Sequence, residues 1–214
     1  MTRYSSVILP ILVLASGITA ANAIDVRNNR SSQDIPIVDG SPILAPFQHV
    51  RFCLRYPGDC QSDPMENELI ELNDEASKLL DRVNQHVNAA IIPTAKGYGS
   101  NLEDGWTISP SMGDCNDYAV TKRHELIQSG LPAKAMRLSV VKTTSGIGHL
   151  VLVVTTTKGD LVLDNLTETI RSWQSTDYHW LKIQSTADAR LWHEVKAGSP
   201  SVSQAFRKLR VADR

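Results

Sequence analysis

The chain has 214 residues, 42% of them hydrophobic and 21% charged, enough for one globular domain with a sizeable core and no large disordered region. Its formal net charge is -1, and no basic stripe is interleaved with aromatics, which argues against nucleic acid as a partner.

Residues 1–23 read as a secretory signal peptide. Arg3 precedes the apolar run Val7 to Ala15, and Ala21-Asn22-Ala23 supplies small residues for cleavage after Ala23. A membrane anchor is the competing reading, but the run contains Pro10 and falls short of the ~20 apolar residues a span needs. Residues 24–62, with Pro36, Pro42 and Pro46, read as an extended arm and loop. Within them Cys53 and Cys60 flank the turn-prone Arg55-Tyr56-Pro57-Gly58, and in an oxidising compartment the two are expected to pair. Cys115 is then the odd thiol, which marks it as a candidate reactive group.

A domain is expected over residues 63–198. Asp63, Pro64 and Glu66 carry helix-start signals, and Leu69, Leu72, Ala76, Leu79, Val83, Val87 and Ala90 recur at helical spacing until Pro93. His86 on that helix has no evident ligand partner. Residues 95–112, rich in glycine, form a loop that leads to the cysteine. Trp106 in that loop either walls the site and offers its indole N–H or simply packs in the core. Gly113-Asp114-Cys115-Asn116-Asp117-Tyr118 opens a second helix, which stops at Gly130 before Pro132. A thiol at a helix start faces unpaired N–H groups and the positive end of the dipole, which favours the nucleophilic thiolate.

Three antiparallel strands follow, at Met136–Val141, His149–Thr155 and Leu161–Asn165, the last two joined by a turn at Lys158-Gly159-Asp160. Trp173, Tyr178, Trp180 and Trp192 mark one or two further strands, and the basic tail 199–214 reads as a solvated terminal helix. The hairpin carries His149 and Asp164 to one edge of the sheet. A tight turn sets His149 opposite a residue a few places beyond Asp164, so bringing the pair together calls for a bulge or a wider loop. Given adjacency, His149 takes the thiol proton, Asp164 fixes the imidazole, and the Cys115 backbone N–H stabilises the oxyanion of an attacked carbonyl.

Gly113 to Tyr118, Lys122-Arg123, Leu131-Pro132, Gly148 to Leu152 and Val162 to Leu166 together resemble the bacterial transglutaminase-like cysteine proteinases. The similarity is strong from Trp106 to Asn165 and looser from Glu66 to Trp192. It implies a papain-like, transglutaminase-like α+β core with the cysteine helix packed on an antiparallel sheet. It also implies a periplasmic enzyme with Cys115, His149 and Asp164 as its catalytic residues. Characterised relatives cleave large surface adhesins and are held by an inner-membrane receptor for cyclic di-GMP. They bind calcium through acidic residues around the cysteine, which correspond here to Asp114, Asn116 and Asp117. The amide at Asn116 replaces a carboxylate found in many relatives and weakens a hard-cation site. Asp114 and Asp117 serve equally well as helix-start charges. No zinc spacing is present and no organic cofactor is implied. Two rivals stand beside hydrolysis: acyl transfer to an amine, as in transglutaminases, and a non-catalytic binding module with a structural cysteine.

Overall fold

In a computed structural model the described residues are 36–61, 63–94 and 105–196. The expected signal peptide, the first part of the expected arm, most of the glycine-rich loop and the basic tail expected to be helical lie outside them. Among the described residues three α-helices, α1 (Phe47–Arg55), α2 (Asp74–Ala90) and α3 (Cys115–Gln128), accompany nine strands. In chain order these are β1 (Asp39–Ile43), β2 (Ile92–Pro93), β3 (Met112–Gly113), β4 (Met136–Lys142) and β5 (Gly148–Thr156), followed by β6 (Gly159–Leu163), β7 (Arg171–Ser172), β8 (His179–Gln184) and β9 (Trp192–Val195). Seven strands form one antiparallel sheet in the order β1-β9-β8-β4-β5-β6-β7, and β2 pairs with β3 in parallel.

The continuous Leu/Val run of β5 has a simple cause: both of its faces are covered. Leu150, Leu152 and Val154 meet Leu80, Val83 and Val87 of α2 and Tyr118, Ala119 and Leu126 of α3 in the main core. On the other face Val151 joins Val141 and Val162 under Trp173, Tyr178 and Trp180. Full burial of each such side chain contributes roughly 1.5–3 kcal/mol, which anchors the strand that carries His149.

Two stretches depart from the sequence expectation. The expected arm contains β1 and the helix α1, whose Phe52 and His49 turn into the core while Phe47 and Leu54 stay exposed. The helix expected from Asp63 starts only at Asp74, capped by the Asn73 side chain, which accepts from the Ala76 N–H at 2.9 Å. The reason is competition for backbone groups. The Ile70 N–H donates to Thr155 at 3.0 Å and its carbonyl accepts from Thr157 at 2.9 Å, which ties this stretch to the end of β5. Asp63 meanwhile closes a local turn, accepting from the Met65 N–H at 2.9 Å.

Cys53 and Cys60 form a disulfide, with their Cα atoms 5.5 Å apart. It ties α1 to the short turn Pro57–Cys60, whose Asp59 accepts from His124 Nδ1 of α3 at 2.9 Å and from the Arg123 guanidinium. Above the disulfide sits His49, 1% exposed. Trp192 Nε1 donates to its Nδ1 at 3.2 Å, and the Gln184 amide nitrogen lies 3.0 Å from its Nε2. Two donors thus face the ring, and a protonated imidazole would find no acceptor except the Cys53 sulfur, 3.5 Å away. Burial, followed by the charge of Arg123, pushes His49 down to about 4. The unfolded chain, with histidine near 6.5, binds more protons in this window, so His49 contributes stability above pH 6.5 that is lost as the pH falls to about 4. The loss is on the order of 3 kcal/mol. The melting temperature should therefore fall steeply between pH 6.5 and 4. In His49→Gln that slope should flatten; an unchanged slope in thermal unfolding would show that His49 is not the responsible group.

Candidate active site

The start of α3 is built from two aspartates. Asp114 is the N-cap, and its Oδ1 accepts from the Asn116 N–H at 3.0 Å. Asp117 reaches back: its Oδ2 accepts from the Asp114 N–H at 2.9 Å and its Oδ1 from the Thr107 N–H at 2.9 Å, which also fixes the incoming loop. Asp117 is fully buried. A Cβ on Gly113 would stand 2.6 Å from Asp117 Oδ2, so only glycine allows this close approach. Cys115 is the first helical residue, a free and half-buried thiol at the positive end of the helix.

The imidazole comes from the sheet. His149 pairs with Val141 near the start of β5, and Leu152 pairs with Leu163, which puts His149 opposite position 166 rather than Asp164. No bulge repairs this offset. Positions 164 and 166 share one face, so Asp164 is the diagonal neighbour of His149 and a side chain can span the gap. It does: His149 Nε2 donates to Asp164 Oδ1 at 2.8 Å. The bulge expected from the sequence is therefore unnecessary. The His149 ring shares a cleft with the Cys115 side chain, which also acts on its charge. With Nε2 occupied by Asp164, Nδ1 is the nitrogen left to serve the thiol.

Burial opposes charging of both partners, and in both the hydrogen bonds outweigh it. Asp164 also accepts from the Leu166 N–H at 3.0 Å and from the Tyr178 hydroxyl, and these donors with His149 hold its carboxyl below the usual carboxylate range. His149, bonded to Asp164 and acted on by Cys115, is pushed up to about 9. An imidazolium flanked by a carboxylate and a sulfur is the arrangement that stores a thiol proton.

Tyr178 went unnoticed as a site residue in the sequence. Its ring stands edge-on to His149, with centroids 5.7 Å apart, and its hydroxyl orients Asp164 from the side opposite the imidazole. Fourteen residues separate it from Asp164, with β7 between, and no local pattern signals the contact. Asn88 of α2 was missed as well; its amide donates to the Asp164 carbonyl at 3.0 Å.

Cys115 and His149 open into a cleft of about 520 Å³ with Gly113, Tyr118, Ile147 and Leu166 among its walls. Trp106 is not one of them. It is buried against His49 and Phe52, at centroid distances of 5.6 and 6.2 Å, which corrects its reading as an oxyanion donor or site wall. Asp114, Asn116 and Asp117 lie together in the first turn, where hydrogen bonds of the cap occupy both oxygens of Asp117 and Oδ1 of Asp114. Among the described residues, the one tight group of three His, Cys, Asp or Glu ligand atoms is His49, Cys53 and Cys60, and there the sulfurs are spent on each other.

No curated protein matches the chain. Solved structures do. Calcium-bound LapG of Legionella pneumophila is 23% identical, with a TM-score of 0.48 over 62% of this chain and 80% of that one. Another structure of Legionella pneumophila LapG is 20% identical, with a TM-score of 0.47 over 77% and 89% of the two chains. An EGTA-treated LapG from the same organism is 18% identical, with a TM-score of 0.42 over 78% and 88%. The family model of the bacterial transglutaminase-like cysteine proteinases matches residues 39–199, most of the chain, and the protein belongs to that family of cysteine peptidases.

Proposed function

We propose that this peptidase cleaves a protein substrate outside the cytosol with Cys115 as nucleophile, His149 as general base and acid, and Asp164 as the group that orients and charges the imidazole. The observation that carries this reading is the hydrogen-bonded chain of His149, Asp164 and Tyr178, whose imidazole shares one cleft with the Cys115 thiol. The thiolate attacks the peptide carbonyl. The oxyanion forms beside the helix start, where the Cys115 backbone N–H is the available donor. His149 then gives its proton to the leaving amine, and water, activated by the same imidazole, releases the acyl group from sulfur. The signal-like residues 1–23 and the disulfide favour export, and a periplasmic location follows from them with the family resemblance. On the same resemblance, the proposed substrate is a surface adhesin and the proposed regulator an inner-membrane receptor for cyclic di-GMP.

Calcium is proposed at the first turn of α3 as a stabiliser, with no part in the chemistry. The oxygens there that accept no hydrogen bond from the described residues are Asp114 Oδ2 and Asn116 Oδ1. One carboxylate and one amide oxygen make a weak hard-cation site.

Incubation of the mature protein with an adhesin fragment should yield discrete products that Cys115→Ala does not give. Incorporation of a labelled amine in place of cleavage would instead establish acyl transfer, and neither activity would leave the binding-module reading. Since His149 holds its proton up to about 9, alkylation of the free thiol by iodoacetamide should depend on the imidazole throughout neutral and mildly acid solution. At pH 6 it should slow sharply in His149→Ala, while Tyr178→Phe, which loses one hydrogen bond to a charged group, should cost about tenfold. Equal rates in all three would remove the basis for the triad. Calcium should raise the melting temperature by only about 2 °C over chelator, and more in Asn116→Asp. No shift in either protein would show that the first turn holds no calcium.

A further inference from the structure

Away from the catalytic cleft, the hydrogen bonds around His49 leave one proton to be placed, and its place bears on the Cys53–Cys60 disulfide. Both ring nitrogens face donors. Trp192 Nε1, which can only donate, points at Nδ1 from 3.2 Å, and the Gln184 amide nitrogen lies 3.0 Å from Nε2. That amide cannot be turned round, because its oxygen accepts from the Leu138 N–H at 2.7 Å and its nitrogen donates to the Ala189 carbonyl at 2.7 Å. A neutral imidazole carries one N–H, so one of the two donors has to face it. The cheaper place is Nε2. The Gln184 nitrogen already satisfies one of its two hydrogens on Ala189, whereas the indole has a single hydrogen, directed at Nδ1. The His49 proton therefore sits on the nitrogen nearer the bridge, with Cys53 Sγ at 3.5 Å from Nε2 against 3.9 Å from Nδ1.

A disulfide sulfur is a weak acceptor and a thiolate a strong one, so this N–H favours an opened bridge with the charge on Cys53. Access is present as well. Cys53 is half-buried and Cys60 nearly inaccessible, and both line a second cleft, of about 300 Å³, with Val50, Leu54, Pro57 and Arg190 among its walls.

We propose that Cys53–Cys60 is a thiol–disulfide exchange site that takes a dithiol reductant through this cleft, with His49 stabilising the Cys53 thiolate. One thiolate of the dithiol attacks Cys53 Sγ, the more exposed sulfur, and the electron pair of the S–S bond leaves on Cys60, which takes up a proton. The second dithiol sulfur, deprotonated, then attacks the first and closes the reductant's own disulfide. Cys53 departs as a thiolate beside the Nε2–H and is protonated in turn. The bridge gains two electrons and two protons, and the dithiol loses the same. A better stabilised leaving thiolate leaves faster, and that is the part His49 plays in the second step.

The test uses the mature protein carrying Cys115→Ser, in which Cys53 and Cys60 are the remaining cysteines, with dithiothreitol as the probe. Reduction at pH 7, read by mass after quenching with iodoacetamide, should proceed from the folded state, so its rate should stay flat as urea is raised below the unfolding transition. A rate that climbs with urea in step with the unfolding equilibrium would make the bridge purely structural and overturn the proposal. In the reduced protein, iodoacetamide at pH 6 should reach Cys53 before Cys60, as peptide masses will show; the reverse order would put the thiolate on the wrong sulfur and overturn it equally. His49→Leu, which removes the N–H, should slow reduction of the folded protein about tenfold. An undiminished rate in that variant would remove His49 from the site and the proposal with it. Should His49→Leu fail to fold, the urea series and the order of alkylation decide.

Discussion

A carboxylate buried as deeply as that of Asp164 remains ionised only when donors surround it, and here they come from three directions: the imidazole of His149, the hydroxyl of Tyr178 and the backbone N–H of Leu166. Everything around the cleft depends on that charge. It supports the raised protonation of His149, whose ring shares the cleft with the Cys115 thiol. The donors belong to different parts of the chain, on β5, before β8 and in the segment after β6, so the charge is secured by tertiary structure rather than by any local motif.

The helix that carries the thiol is unusual in what it buries. Asp117, Lys122 and Arg123 are all nearly inaccessible on α3. Asp117 closes the first turn and pins the incoming loop. Arg123 binds the carbonyls of Met136, Ala133 and Asp59, which joins the helix to β4 and to the disulfide-linked turn. Burying charge in this way is costly, and the gain is rigidity: a helix held by directional bonds along its length has little freedom to shift its first residue against His149.

Much of this was legible in the sequence, and the limits of legibility have physical causes. The helix start at Cys115 announces itself because caps are local chemistry, and β4, β5 and β6 announce themselves because alternation and a glycine turn are local as well. Where a long-range bond overrides a local preference, the reading fails. Asp63-Pro64-Met65-Glu66 looks like a helix start, yet Ile70 gives its backbone to β5 and the helix waits for Asn73. Pro46 precedes a real helix that the scarcity of periodic apolar residues concealed, because α1 buries little more than His49 and Phe52. Trp106, close to the thiol in sequence, is drawn into the core by those same two residues. The contact between His149 and Asp164 lay between these cases: their shared edge was readable, while the diagonal geometry that joins them without a bulge was not.

Gly113 makes no bond to anything that reacts, yet the thiol's position hangs on the methyl group it lacks. Any side chain there would push the Asp117 carboxylate away from the Asp114 N–H, opening the first turn under Cys115 and loosening the Thr107 loop at the same stroke. Residue 113 is therefore confined to glycine by the space beneath Cys115, two places on. Mutational intolerance at this helix start reports a shortage of space as much as a share in the chemistry.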